Sequence, residues 1–211
     1  MQWAIGVALS FLALASLTPA LQRFESVEPH MGTLVRVTVY AEDERRARSA
    51  FQVAFNRIRE LDATLSDYRS DSELNRVTAA AVRRDVRVSD DLFTVLCSAQ
   101  ALAEATDGAF DVTQGAVIRL WREARRTRRL PPRAALDEAA SRGGFRKLHL
   151  DPLERTVRLD VAGMALDLGA LGKGYAASEA IAALEKSGVQ SALVAISGDL
   201  AFSAAPPGQR G

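Results

Sequence analysis

Residues Met164–Ala176 read Met-Ala-Leu-Asp-Leu-Gly-Ala-Leu-Gly-Lys-Gly-Tyr-Ala. An apolar run ends in an acid, Asp167. Then come three glycines and one lysine, Lys173, followed by a helix-forming stretch. Glycines let a backbone approach a ligand closely. A helix N-terminus offers free N–H groups and the positive end of a dipole, which suit a phosphate. Lys173 adds a point charge, and Asp167 can hydrogen-bond a ligand or support a metal. The segment is not a P-loop, because the spacing differs and no Ser or Thr follows the lysine. A plain strand–turn–helix junction is the alternative reading.

Four weaker signals accompany it. Thr106–Thr113 carries Ala109, Phe110 and Asp111, an acid between two apolar residues that would need a partner if buried. Ser66–Leu74 is polar and carries Tyr68, which can stack on an aromatic ring or be an ordinary surface tyrosine. His30-Met31-Gly32-Thr33 precedes a strand pattern, and Ser197-Gly198-Asp199 follows one as a simple turn. His30 and His149 lack metal-ligand spacing.

These residues need elements to hold them. Leu34–Tyr40 alternates, with Val35, Val37 and Val39 on one side, and predicts a half-buried strand. From Asp43 the apolar residues Ala47, Ala50, Phe51, Ala54, Phe55, Ile58 and Leu61 fall at helical spacing. A second helix is expected over Asp90–Thr106, with Ser89 as N-cap and Gly108 as stop. Pro132 can open a short helix through Ala140. Lys147–Leu150, Thr156–Leu159, Met164–Leu168 and Ala192–Ile196 read as strands, and Tyr175–Lys186 as a helix stopped by Gly188. This irregular alternation predicts an α+β fold, with helices packed on a mostly antiparallel sheet.

Composition narrows the function classes. The chain has 211 residues and a net charge of +1, so it suits one domain and has no bulk field for nucleic acid. The run containing Arg125, Arg126, Arg128 and Arg129 lacks interleaved aromatics beyond Trp121 and reads as a solvated loop or helix face. Cys97, the single cysteine, excludes an internal disulfide and reads as an inert, buried thiol. Residues 1–20 carry no charge, and Ala4–Leu17 is an apolar run before Thr18-Pro19-Ala20. That pattern resembles a secretory signal peptide without the usual basic start; a buried helix is the alternative. No cysteine follows it to take a lipid. The expectation is a leader or anchor over 1–20 and an exported domain over 21–211, periplasmic or extracytoplasmic, with at most weak inner-membrane association.

The order of the motifs is more specific than any one of them. Met-Gly-Thr, then S-x-Y-x-x-x-S-E-L, then GAFD-x-T-x-G with a following Leu-Trp, then DLG-x-x-x-KGYA, then Gly-Asp after a strand resembles the ApbE flavin transferases from Met31 to about Gly211. The resemblance implies an enzyme that binds FAD and Mg²⁺ and moves FMN to a Thr or Ser hydroxyl of a target flavoprotein, releasing AMP. By matching position, Met31, Tyr68, Ala109, Phe110, Asp111, Asp167 and Lys173 would contact FAD, with Asp167 and Lys173 at the reacting pyrophosphate. Ala170 would offer its main-chain carbonyl to the metal. Water in place of the acceptor hydroxyl would make an FAD pyrophosphatase; a non-catalytic FAD-binding protein is the third reading. Two departures stand out: Gln114-Gly115-Ala116-Val117 where the family often has V-G-P-L, and Ser197-Gly198-Asp199 for Gly-Gly-Asp. The Pro206-Pro207-Gly208 ending is loop chemistry after a strand. It leads us to expect a truncated chain, with the family's further metal carboxylate and a histidine downstream of it.

Overall fold

The computed structural model describes residues 20–208; the leader expected over 1–20 therefore lies almost wholly outside the described residues. Among them no helix is long and apolar enough to cross a membrane.

Two antiparallel sheets carry the molecule. The larger contains β1 (Gln22–His30), β2 (Thr33–Ala41), β6 (Ala192–Ile196) and β7 (Asp199–Phe202), in the order β1-β2-β6-β7. The smaller contains β3 (Val86–Arg87), β4 (Leu148–Asp151) and β5 (Thr156–Leu159), in the order β3-β5-β4. β2 is central, and its alternation is the reason: Val35, Val37 and Val39 are fully buried. Register follows from that face, with Val35 opposite Ile196 and Val37 opposite Val194.

Helix α1 (Glu44–Leu65) covers this face. Asp43 caps it by accepting from the Arg46 amide at 2.7 Å. Its buried residues Ala47, Ala50, Ala54, Ile58 and Leu61 recur every three or four positions. Helix α6 (Gly172–Lys186) packs beside it through Ala176, Ala177, Ala180 and Leu184. Small residues on both helices permit a close approach. After α6, the Gly188 amide donates to Glu185 and the Val189 amide to Leu184, both at 3.0 Å, with Gly188 at φ 91°. That is a Schellman end, the glycine stop the sequence predicts. The remaining helices are α2 (Glu73–Ala80), α3 (Asp90–Ala105), α4 (Gly115–Thr127) and α5 (Arg133–Arg142). Ser89 caps α3 as expected, accepting from the Leu92 amide.

Three expectations change. Met164–Leu168 is not a strand: it is a buried extended segment with a single parallel bridge, Ala165 to Gln114. Burial on all sides gives it the apolar composition of a strand without a ladder. Helix α6 starts at Gly172 rather than Tyr175, because the Gly172 amide already bonds to the Leu168 carbonyl at 2.7 Å. Ser197-Gly198 does turn, but Asp199 then opens β7, so β6 has a partner.

Candidate functional site

One end of the larger sheet gathers the motifs. Met31-Gly32 is a two-residue hairpin turn between β1 and β2, with φ of 51° and 71°. Positive φ at both central residues is what a type I′ turn requires. The β6–β7 turn lies beside it, where the Ser197 hydroxyl donates to Thr33 Oγ1 at 3.0 Å. The C-terminal end of α1 and the N-terminal end of α6 reach the same place. Met31, Leu65, Asp67, Tyr68, Gly169 and Lys173 line the cleft between them.

The glycine loop is shaped by Asp167. Its Oδ1 accepts from the Gly169 amide at 2.8 Å, and its Oδ2 takes Arg122 Nη2 at 2.6 Å. Asp167 is 7 % exposed, and the partners remove most of the cost of burying its charge. Lys173, on the first turn of α6, donates to the Gly169 carbonyl at 3.3 Å, a loose contact that leaves its ammonium available to a ligand. The Ala170 carbonyl lies in the exposed turn between them, and among the described residues no loop or cap amide donates to it.

Ala109, Phe110 and Asp111 approach from the other side. The Asp167 amide donates to the Val112 carbonyl at 2.8 Å, and the Gly115 amide to the Ala165 carbonyl at 3.0 Å. These bonds fasten the Phe110–Gly115 stretch to the glycine-loop segment. Asp111 finds the partners that its position demands: Oδ1 accepts from the amide and hydroxyl of Thr113 at 2.8 and 2.6 Å, and Oδ2 from Gln114 at 3.2 Å. Thr113 Oγ1 in turn accepts from the Gly144 amide at 2.7 Å. Ala109 is exposed and Phe110 half-buried. Met31, Tyr68 and Lys173 thus share one cleft, Asp167 stands behind it, and Ala109–Asp111 flank it without lining it.

Sequence reasoning missed Arg122. From α4 its guanidinium bonds Asp67 on one side and Asp167 on the other, and lies 4.4 Å from the centre of the Tyr68 ring. Burial works against its charge, but the hydrogen bond to Asp67 and the fields of both carboxylates hold its pKa above the ordinary guanidinium value. The two acid side chains are each only 6 % exposed. The arginine-rich stretch is plain in the sequence, but nothing local tells which arginine turns inward. The outward ones behave as expected: Arg126 pairs with Glu123 on the helix surface. Cys97 is half-buried, and burial pushes its thiol pKa up, which disfavours the thiolate.

For a magnesium ion the donors are of the right type and too few. A hard cation of this size asks for six oxygens, commonly from one or two carboxylates, waters and substrate phosphates. The Ala170 carbonyl is one such oxygen. Of the carboxylates around the cleft, Asp167 is already committed to Arg122 and Gly169 and Asp67 to Arg122, which leaves Asp62. Among the described residues no group of three or more His, Cys, Asp or Glu is arranged to hold a metal. These residues do not by themselves make a magnesium site.

Residues 31–210 match the ApbE family, and the chain belongs to it. Its curated relatives include the FAD:protein FMN transferase of Treponema pallidum, 33% identical over 207 residues, covering 94% of this chain and 57% of the relative. That of Salmonella typhimurium is 31% identical over 189 residues, covering 87% and 53%. The crystal structure of the ApbE protein from Thermotoga maritima superposes with a TM-score of 0.80 at 25% identity, over 89% of this chain and 61% of that one. The chain spans a little over half the length of the curated relatives it matches. The α+β class read from the sequence is that of these structures.

Proposed function

We propose that this chain carries the FAD-binding part of an FMN transferase. The acceptor is a Thr or Ser hydroxyl of a target flavoprotein. Its oxygen forms a bond to the FMN phosphorus of FAD, the bond from that phosphorus to the bridging oxygen breaks, AMP leaves with that oxygen, and the hydroxyl proton passes to solvent. One observation supports this most: Lys173 and the N-terminus of α6 share a cleft with Met31 and the exposed Tyr68 ring. The first pair suits a pyrophosphate and the second a flavin. The names of the relatives point the same way. Asp167 would act by fixing the glycine loop around the phosphates, while Phe110 and Asp111 would border the nucleotide. Attack at phosphorus needs the charge on its oxygens neutralised, and Lys173 offers one cation for that.

Magnesium dependence belongs to this proposal, with the Ala170 carbonyl as the protein's oxygen and the nucleotide's phosphates as further donors. The shortage of carboxylate donors favours a second reading, FAD binding without turnover. Action outside the cytoplasm, with weak inner-membrane association, is proposed from the charge-free apolar start of the sequence; fractionation of cells expressing the full chain tests it.

The deciding experiment incubates the chain with FAD, an acceptor domain bearing a flavinylation threonine, and either magnesium or EDTA, read by intact mass. A gain of FMN minus water on the acceptor with magnesium alone supports transfer. Release of FMN and AMP without acceptor labelling would make it a pyrophosphatase, and bound FAD without turnover would leave the second reading. No FAD binding would sink all three.

A further inference from the structure

Arg122 is the side chain that joins the two halves of the cleft. Asp67 follows α1 and adjoins Tyr68; Asp167 precedes the glycine loop. Arg122 is bonded to both acids, and its guanidinium carbon lies over the Tyr68 ring, 4.4 Å from the centre. We propose that Arg122 is the positioning residue of the nucleotide site, setting its affinity for the flavin end through Tyr68 and for the pyrophosphate end through Asp167. The inference rests on the FAD reading above.

The flavin arm works by geometry. A guanidinium held by two carboxylates has a fixed position, and the aromatic ring it lies over is held there by the cation–π attraction. Tyr68 is 73% exposed even so, which leaves the face away from Arg122 open to a flat ligand. Without the guanidinium beneath it, a ring this exposed would be free to rotate, and stacking a ligand would carry the entropy of stopping it.

The phosphate arm runs through hydrogen bonds. Arg122 holds Asp167 Oδ2; Oδ1 holds the Gly169 amide; the Gly169 carbonyl receives Lys173. The packing is close enough that a Cβ on Gly169 would stand 3.0 Å from Asp167 Oδ1. Arg122 also offsets two carboxylates that would otherwise repel a polyphosphate. Lysine retains a positive charge but has neither the fork to hold two acids nor the plane to support a ring.

The test is a double-mutant cycle on the full chain. Arg122→Lys, Tyr68→Leu and the double variant are titrated with FAD and with FMN, and their thermal midpoints are recorded. Tyr68 is exposed enough to be replaced without threatening the fold. The expected result is a loss of FAD affinity of roughly tenfold in Arg122→Lys, and a smaller loss when Tyr68 is already Leu. Arg122→Ala should regain affinity when guanidinium ion is added at low concentration, and not with ammonium. FAD affinity in Arg122→Lys within twofold of the unmutated chain, or losses at the two positions that simply multiply for FMN, would overturn the inference alone. Failure of the unmutated chain to bind FAD would overturn the reading it rests on, and the inference with it.

Discussion

The amide of Gly115 donates to the carbonyl of Ala165 at 3.0 Å, and a Cβ added to Gly115 would stand 2.6 Å from that same oxygen. The first turn of α4 therefore sits directly against the segment that delivers Asp167. Alanine has the better helix propensity, by up to about 1 kcal/mol. The obstruction here is backbone, which cannot rotate aside, and overpacking of this kind costs about 1–3 kcal/mol. Gly115→Ala should lower stability in urea unfolding and weaken FAD binding. A variant as stable as its parent would show that the two segments separate easily.

Gly174 makes the opposite case. It lies within α6, its φ is not positive, and a Cβ there meets nothing within 4 Å among the described residues. Neither the backbone nor the packing requires glycine, so Gly174→Ala should stabilise the fold by about 0.5–1 kcal/mol. The open space is on the first turns of α6 beside Lys173, where a ligand's phosphate would approach the backbone. We expect FAD affinity to fall as stability rises. A rise in stability with unchanged affinity would mean that the ligand does not come near Gly174.

Much of this arrangement is legible in the sequence, and the illegible parts share physical causes. β2 and α1 declare themselves because each has one buried face, which imposes a clear period. β1 and β7 do not: β1 alternates between exposed and half-buried positions, but the half-buried ones include Ser26, Glu28 and His30, and in β7 Leu200 and Phe202 remain exposed, so neither shows an apolar period. α2, with eight residues, is too short for its period to emerge. The glycines at 169, 172 and 174 hide the start of α6, because propensity argues against a helix that tertiary contacts impose. The motif residues can be recognised by their order along the chain. Arg122 could not be, since its partners Asp67 and Asp167 lie 55 and 45 positions away.

Lys173 separates binding from folding. Among the described residues its ammonium has one loose contact, to the Gly169 carbonyl at 3.3 Å. Removing a half-exposed side chain of this kind should change stability by no more than about 0.5 kcal/mol. If it faces the pyrophosphate, Lys173→Ala should cost roughly tenfold or more in FAD affinity, measured by flavin fluorescence. Unchanged FAD affinity and unchanged transfer would remove Lys173 from the site.

The base of α6 is tied to α1 and α3 by a polar cluster with a definite pH signature. Arg57 bonds Asp91 at 2.6 and 2.8 Å and Glu179 at 2.5 Å, while the Tyr175 hydroxyl donates to Asp91 at 2.7 Å. The Arg57 hydrogen bond, opposed by burial, holds the Asp91 carboxyl below its usual value. Its contribution to stability is thus present above the unfolded carboxyl value of about 3.9 and is lost as pH falls through the lower folded one. Burial first, then the bond to Asp91, pushes the Tyr175 hydroxyl up. That contribution is complete below about pH 10 and is lost as pH rises through the higher folded value. Tyr175→Phe should cost about 1 kcal/mol at neutral pH and flatten the alkaline loss, while Asp91→Asn should flatten the acid one. Urea midpoints across pH for the three proteins decide it; parallel curves would mean the cluster does not govern the pH response.

Met31 occupies a position that favours another residue. The first central position of a type I′ turn calls for positive φ, for which Asn or Asp before Gly is preferred. Met31 holds φ 51° with a long side chain, a strain of about 1 kcal/mol or more. Its methyl group would lie 3.8 Å from a Cβ on Gly172, so the thioether reaches across the cleft to the first turn of α6. Strain kept at a position that lines the cleft proposed for FAD points to use rather than to folding. Met31→Asn should therefore cost no stability, because relief of the turn offsets the lost contacts, and yet FAD affinity should fall for want of the apolar, polarisable contact a flavin ring favours. Asparagine that lowers stability while leaving FAD binding intact would show the reverse, that Met31 is retained for packing alone.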